Sequence, residues 1–388
     1  MAKLSYNVSI GAWAIKSADD PRTELIGLMT RHSLGPADDC AYISIYAPPA
    51  PKQSLLEQAA SAAVEATGGA LGLGGSTKDK NFSIQVRGKA IKHADQIHIE
   101  VTAGNLSGKV MTADVLNIES SLNETRMFGT TGKRKMACTR LNQVYENQSL
   151  SQIVKDLAGQ AGVELGSVDQ GSTYSYFVVH ESKTVLAHVQ ELANREGMDV
   201  YFDPENKLTV QRFSKSSPDH TFYFGIDLLD VQVARYDPPS NHVFVYGESP
   251  ASKQGSSTWP WLAKDLKPFR AELGSGNKRL ALGDRALRTK EAADSQAKAK
   301  LGSIKDRATS GRLIILGNPM VKLGQAIEIK DAPPPELNGL FKVTSVRHQY
   351  SKQAGLLTTL SFTGQGGAKE AEGLLGQALG ALTGALGL

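Results

Sequence analysis

The sequence predicts a mixed, mainly β fold: two β-rich regions separated by an α+β insertion, with a smaller irregular and helical segment before the second β region closes. Three observations predict it. Short runs of alternating apolar and polar residues dominate the N- and C-terminal thirds. Glycine is abundant, at 38 of 388 residues, as many tight turns between strands require. Between them, two stretches change from a period of two to a period of three to four. The length allows two or three domains with ample cores.

Taken in order, Tyr6, Val8 and Ile10 share one strand face, and Ile43, Ile45 and Ala47 another, before Pro48-Pro49-Ala50-Pro51 ends the run. Residues 52–76 change character: Leu55, Leu56, Ala59, Ala63 and Val64 fit a helix, and GGALGLGGS reads as a turn-rich insertion. Gly72, Gly74 and Gly75 lack the preceding strand, the following Lys-Ser/Thr and the helix that a phosphate-binding loop needs. Strands resume with Phe82, Ile84 and Val86, then Ile97, Ile99 and Val101, then Leu116 and Ile118, with a hairpin turn at Gly104–Gly108. Antiparallel hairpins facing one core imply a barrel or a sandwich.

The insertion runs from Tyr145 to Phe213. Leu150, Ile153, Val154, Leu157, Ala158 and Ala161 fall on one helical face, with Gly162 as the stop. Tyr176–Val179 is a short strand. Ser182 is the expected cap of a second helix with Val185, Leu186, Val189 and Leu192 inward and Gly197 at its end. Met198, Val200 and Phe202 alternate, Asp203-Pro204-Glu205-Asn206 turns the chain, and Leu208 and Val210 alternate again. Val231, Val233, Val243, Val245 and Tyr246 give two more strands. Residues 249–275 read as irregular and carry Trp259, Trp261 and Phe269 as anchors of a loop subdomain. Residues 278–308 are charged and Ala-rich; Ala286, Ala293, Ala297 and Leu301 fit a helix with a solvated outer face.

The last β region, 311–363, has turns at Gly317-Asn318-Pro319 and Asn338-Gly339. The latter predicts a two-residue hairpin joining Ile327–Lys330 to Phe341–Val346. Leu374, Leu375, Ala378, Leu379, Leu382 and Leu386 put an apolar stripe on the tail, too short to span a membrane and too rich in glycine to hold a helix alone.

The chemistry-bearing residues form no recognisable site. Eight histidines are scattered; His180 and His188 lack metal-ligand spacing and read as a strand-end and a helix-face residue. No G-x-S-x-G elbow occurs. Cys40 and Cys138 are far apart and read as two buried or inert thiols rather than a disulfide scaffold. No catalytic, cofactor or metal-binding residue is assigned. The net charge of +4 is small, with no basic stripe interleaved with aromatics, which argues against nucleic acid as the main partner. The N-terminus lacks a signal peptide's apolar core, so synthesis in the cytoplasm is expected.

SLSQIVKDLAGQAGVEL followed by VVHESKTVLAHVQELANREGMDVYFDPENKLTVQRF resembles the late control D family, the central baseplate hub proteins of contractile phage tails and related injection systems. LLDVQVARYDPPSNHVFVYGES with SSTWPW, and GRLIILGNPMVKLGQAIEIK with ELNGLFKVTSVRHQYSKQAGLLTTLSFTG, continue the resemblance over roughly residues 85 to 365. It implies two tube-like antiparallel β-barrel domains, at 1–125 and at 226–250 plus 311–365. It also implies an α+β domain at 126–225 and an irregular and helical peripheral domain at 251–310. The mobile insertion at 52–80 and the apolar tail at 366–388 are read from composition and lie outside the resemblance. It further implies a structural protein and not an enzyme: a homotrimer whose six barrels match a hexameric tail tube on one side and seat a trimeric spike on the other, among further baseplate proteins. The spike is then expected to be a separate polypeptide. A tail-associated cell-wall hydrolase and an effector-binding adaptor are the alternative readings.

Overall fold

The computed structural model describes residues 4–17, 25–35, 39–46, 83–86, 89–247, 270–284, 286–287 and 290–364. The expectations for Ala47, Phe82, residues 52–76, Trp259, Trp261, Phe269 and the tail lie outside the described residues.

Strands β1 (Leu4–Ile10), β2 (Trp13–Lys16), β3 (Leu25–Ser33), β4 (Cys40–Tyr46), β5 (Ser83–Val86), β6 (Lys89–Lys92), β7 (Gln96–Ala103), β8 (Leu106–Ser120) and β9 (Glu124–Thr130) form the first β region. All but the β5–β6 hairpin lie in one sheet, in the order β3-β4-β9-β8-β7-β1-β2. The alternation read from sequence sets its buried face: Tyr6, Val8, Ile10, Ile43, Ile45, Ile97, Ile99 and Val101 share one core. Leu116 departs from this. Val115 pairs with Gly129 and Asn117 with Phe128, so one extra residue is bulged out and Leu116 faces solvent while Ile118 is buried.

Next come α1 (Gly132–Cys138), β10 (Gln143–Ser149), α2 (Leu150–Gln160), β11 (Leu165–Val168), β12 (Thr173–Val179), α3 (Val185–Glu196), β13 (Met198–Phe202) and β14 (Leu208–Arg212). The three helices pack with the small sheets β10-β12 and β11-β14-β13 on a second core. Ser149 and Gln152 form a reciprocal capping box at α2. The cap of α3 is Thr184 rather than Ser182: the Thr184 hydroxyl accepts from the Ala187 amide, while Ser182 N–H donates to His180 Nδ1 in the preceding turn. Gly197 ends α3 at φ +68°, a conformation that penalises a Cβ. Leu157 and Leu192 are fully buried, so Leu157→Ala and Leu192→Ala should each cost about 2–5 kcal/mol in urea unfolding. A loss below ~0.5 kcal/mol for both would contradict the helix phases.

The last region comprises β15 (His220–Tyr223), β16 (Leu228–Arg235), β17 (His242–Tyr246), β18 (Arg270–Gly274), β19 (Arg279–Gly283), α4 (Lys290–Arg307), β20 (Thr309–Leu316), β21 (Ala326–Lys330), β22 (Gly339–Ser351) and β23 (Gly355–Gly364). Two strands sit elsewhere than expected. β15, assigned to the α+β unit by a boundary at 225, pairs in parallel with β21. β17, expected in the second barrel, forms a separate sheet with β18 and β19. Ala293, Ala297 and Leu301 of α4 pack with Val243, Val245 and Ala271 as a small core of their own. Alternation fixes which face of a strand is buried but not which strand it joins, and the partners of β17 lie beyond a long connection.

Asn338-Gly339 is not a two-residue hairpin. The connection from β21 to β22 spans residues 331–338 and includes a 3₁₀ turn at Pro335–Leu337. Asn338 closes this loop through its side chain, with Oδ1 accepting from Ala332 N and Nδ2 donating to Ala332 O, both at 2.9 Å. Gly339 opens β22 at φ +147°, so the glycine is required for a different reason from the one the dipeptide implies.

The two β regions share hydrogen bonds. β22 pairs with β21 through Gly339–Lys342, then with β3 through Ser345–Ser351, while β23 runs along its other edge. The switch falls at an irregularity between Val343 and Ser345. One thirteen-stranded sheet results, carrying two separate apolar cores. Its path ends at β2 on one side and β16 on the other.

Candidate functional site

Among the described residues no group of His, Cys, Asp and Glu could hold a metal ion, and no helix is long and apolar enough to cross a membrane. His180 and His188 do meet. His188, buried on α3, places Nε2 3.2 Å from His180 N and 3.0 Å from His180 O, with its ring edge-on to Phe177. This ties the end of β12 to α3. The two cysteines form no disulfide; Cys40 is half-buried, and Cys138 is exposed at the end of α1 rather than buried.

Three ion pairs converge on the α+β unit, each reaching a different neighbour. Toward the first β region, Lys133 of α1 is buried and donates from Nζ to Gly35 O at 2.7 Å and Ser33 O at 3.3 Å, with Asp39 Oδ1 at 3.6 Å. Asp39 is itself fully buried and accepts from Ser33 N at 2.9 Å. Toward the second β region, Asp199 of β13 meets Lys342 Nζ at 2.7 and 2.5 Å. Burial pushes the Asp199 pKa up, and Lys342 opposes that push. Toward the β17–α4 unit, Arg195 of α3 binds both oxygens of Asp284, at 2.5 and 3.1 Å, and Glu191 at 2.7 Å, lying over the rings of Phe177 and Tyr174. Sequence reasoning missed all three. Partners 143 and 89 residues apart leave no local spacing signal, and each residue alone reads as a solvated charge.

Between the sheet seam and the β13–β14 hairpin lies a cavity of about 230 Å³, bordered by His32, Val110, Tyr201, Leu323, Val346 and His348. His348 is buried at the seam with Nδ1 3.0 Å from Thr358 Oγ1. Burial, with a contribution from His32, lowers its pKa from 6.5 to about 3. The folded value lies below the unfolded one, so between these pH values the unfolded chain binds the extra proton. Stability therefore falls as pH drops through 6.5, by about 1.4 kcal/mol per pH unit. His348→Gln should remove that part of the slope in urea unfolding between pH 7.5 and 5, whatever its stability at pH 7.5. An unchanged slope would contradict a neutral buried imidazole.

The ends of the sheet are the other conspicuous surface. Among the described residues β16 pairs with β20 alone. Around it Ile226 is 75 % exposed, Leu316 60 %, Leu229 54 % and Phe224 50 %. Leu229 is turned outward because Leu228 pairs with Ile315 and Asp230 with Ile314, leaving it as the extra residue of a bulge. A strand edge flanked by large exposed apolar groups is an association surface unless something covers it. At the opposite end, β2 pairs among the described residues with β1 alone.

No family model and no curated protein matches this sequence. Solved structures do match its fold. A 43 kDa tail protein of prophage MuSo2 from Shewanella oneidensis is similar at a TM-score of 0.64 and 12% identity, over 94% of this chain and 99% of that one. A tail protein from Neisseria meningitidis MC58 gives 0.64 and 13%, over 94% and 97%. An Escherichia coli component of the type VI secretion system, described as structurally similar to the T4 bacteriophage tail proteins gp27 and gp5, gives 0.53 and 9%, over 92% and 76%. At these identities the likeness is one of fold. The chain has the mixed, mainly β fold of phage tail proteins and of a type VI secretion component, and none of these three is described as an enzyme.

Proposed function

We propose that this chain is a structural hub of the late control D kind, made in the cytoplasm and built into a phage tail or related injection particle. Three copies form a ring that joins a hexameric inner tube to a trimeric spike, with other baseplate proteins around it. In this reading β1–β4 and β7–β9 supply one tube-like domain, and β15, β16 and β20–β23 supply the other. The α+β unit and the β17–α4 unit are peripheral and brace the ring.

The observation that carries the reading is the β3–β22 seam. Two β cores within one chain are joined strand to strand. Repeating that join between chains turns three copies into six tube-like units, which is what matching a hexameric tube requires. The likeness to tail proteins over nearly the whole chain supports it. The role demands rigidity and complementary surfaces rather than a reactive site, in keeping with ion pairs that clamp the units together. Co-expression with the tube and spike proteins of the same particle tests it. The complex should contain equal numbers of this chain and the spike chain, and twice as many tube chains. A protein absent from washed particles, or bound to neither partner, would overturn the reading.

A further inference from the structure

We propose that Asn338-Gly339 is a latent modification site: an asparagine held unreactive by the closed 331–338 loop and converted to aspartate or isoaspartate when that loop opens. The dipeptide carries the chemistry. It is the sole Asn-Gly in the sequence. Gly339 has no Cβ to hinder its amide nitrogen, so that nitrogen can attack Asn338 Cγ. The N–Cγ bond forms, the Cγ–Nδ2 bond breaks, and Nδ2 leaves as ammonia with the proton from Gly339 N. Water then opens the cyclic imide. Attack at Cγ breaks its bond to Gly339 N and gives aspartate. Attack at the backbone carbonyl gives isoaspartate, in which the chain runs on through Cγ.

The fold withholds this reaction. Both polar ends of the Asn338 carboxamide are engaged, Oδ1 by Ala332 N and Nδ2 by Ala332 O, each at 2.9 Å. Cγ cannot turn onto Gly339 N until both bonds break. The loop that supplies them is held at several points. Ala332 is buried, and Leu337 packs against the core of the second β region. Pro333, Pro334 and Pro335 fix φ at three successive residues. Asn338 N donates to Pro335 O at 3.1 Å, and Arg235 Nη2 donates to Glu336 O at 3.2 Å. Loop opening, not the intrinsic chemistry of the dipeptide, therefore sets the rate.

The product cannot rebuild the lock. A carboxylate has no donor for Ala332 O, and two oxygens would then face each other. Isoaspartate also adds a backbone carbon where β22 begins, next to the Gly339–Ile329 pair. β22 is the strand that runs on to pair with β3. Modification thus loosens the second core at the strand that ties it to the first.

The test incubates the full chain at neutral pH, folded and in urea, and follows conversion by mass spectrometry. Cleavage after Lys330 and Lys342 releases residues 331–342, whose sole asparagine is Asn338, so the site is read without ambiguity. Conversion should be at least about tenfold slower in the folded chain than in urea. Leu337→Ala should speed the folded rate by about threefold or more and leave the rate in urea unchanged. Arg235→Ala, which removes an exposed contact to the loop, should act in the same direction more weakly, and it serves where Leu337→Ala does not fold. Asn338→Asp should lower the thermal midpoint. Equal rates in the folded chain and in urea would overturn the lock, and no conversion even in urea would overturn the site. A folded rate unchanged in both loop variants would overturn gating by the loop. A wild-type midpoint for Asn338→Asp would overturn the effect on the second core.

Discussion

Lys133→Met should destabilise the protein by about 3–5 kcal/mol, the largest single-residue effect expected outside the apolar cores. The substitution keeps the length of the side chain and removes its charge. Asp39, fully buried, would keep the Ser33 amide, the Thr131 hydroxyl and His32 Nδ1 around it but lose the ammonium 3.6 Å away. The carbonyls of Ser33 and Gly35 would lose their donor in the same step. Leaving a buried charge uncompensated is what makes the loss large; the intact pair itself adds far less. Lys135, on the same helix, is the control. Its partner is Asp114 at 2.7 Å, but its side chain is half exposed, so Lys135→Ala should cost under ~1 kcal/mol. Urea unfolding of both variants is the check. Equal small losses would mean that Lys133 does not hold α1 against the first β region.

Arg195→Met should cost about 3 kcal/mol and loosen the β17–α4 unit from the rest of the chain. Arg195 is buried and bidentate to Asp284, and Asp284 also accepts from Gln296 Nε2 of α4 at 3.2 Å. Asp284→Asn should reproduce most of the effect. The double variant should lose less than the sum, because both changes break one interaction. The small core beneath α4 is built mainly from alanine and valine, so it contributes less than the other three cores and depends more on this bridge. Limited proteolysis reads the loosening directly: cleavage within 270–307 should accelerate in Arg195→Met and not in Leu157→Ala. Strictly additive losses would mean that the two residues act separately.

Elements whose signal is local were legible in the sequence. The faces of α2 and α3 follow from apolar residues three and four apart, and the inner faces of β1, β7 and β13 from strict alternation. What depends on a distant partner was not. The bulge at Leu116 exists only opposite Gly129 and Phe128. The cap of α3 is Thr184 rather than Ser182 because the preceding turn, closed by the Ser182 N–H on His180 Nδ1, delays the helix start to Val185. Asn338-Gly339 carries the composition of a tight hairpin, yet Asn338 spends its side chain on Ala332 and lengthens the loop. The same holds for the three ion pairs and for the seam, where β22 changes partners midway. Alternation says which residues face inward on such a strand; it does not say that two cores share it.

The central claim is that three copies form a ring, and native mass measurement of the purified chain tests it most directly. At micromolar concentration the account predicts a species of three times the 41.5 kDa chain mass that persists on dilution. A single species at 41.5 kDa over the same range would contradict it.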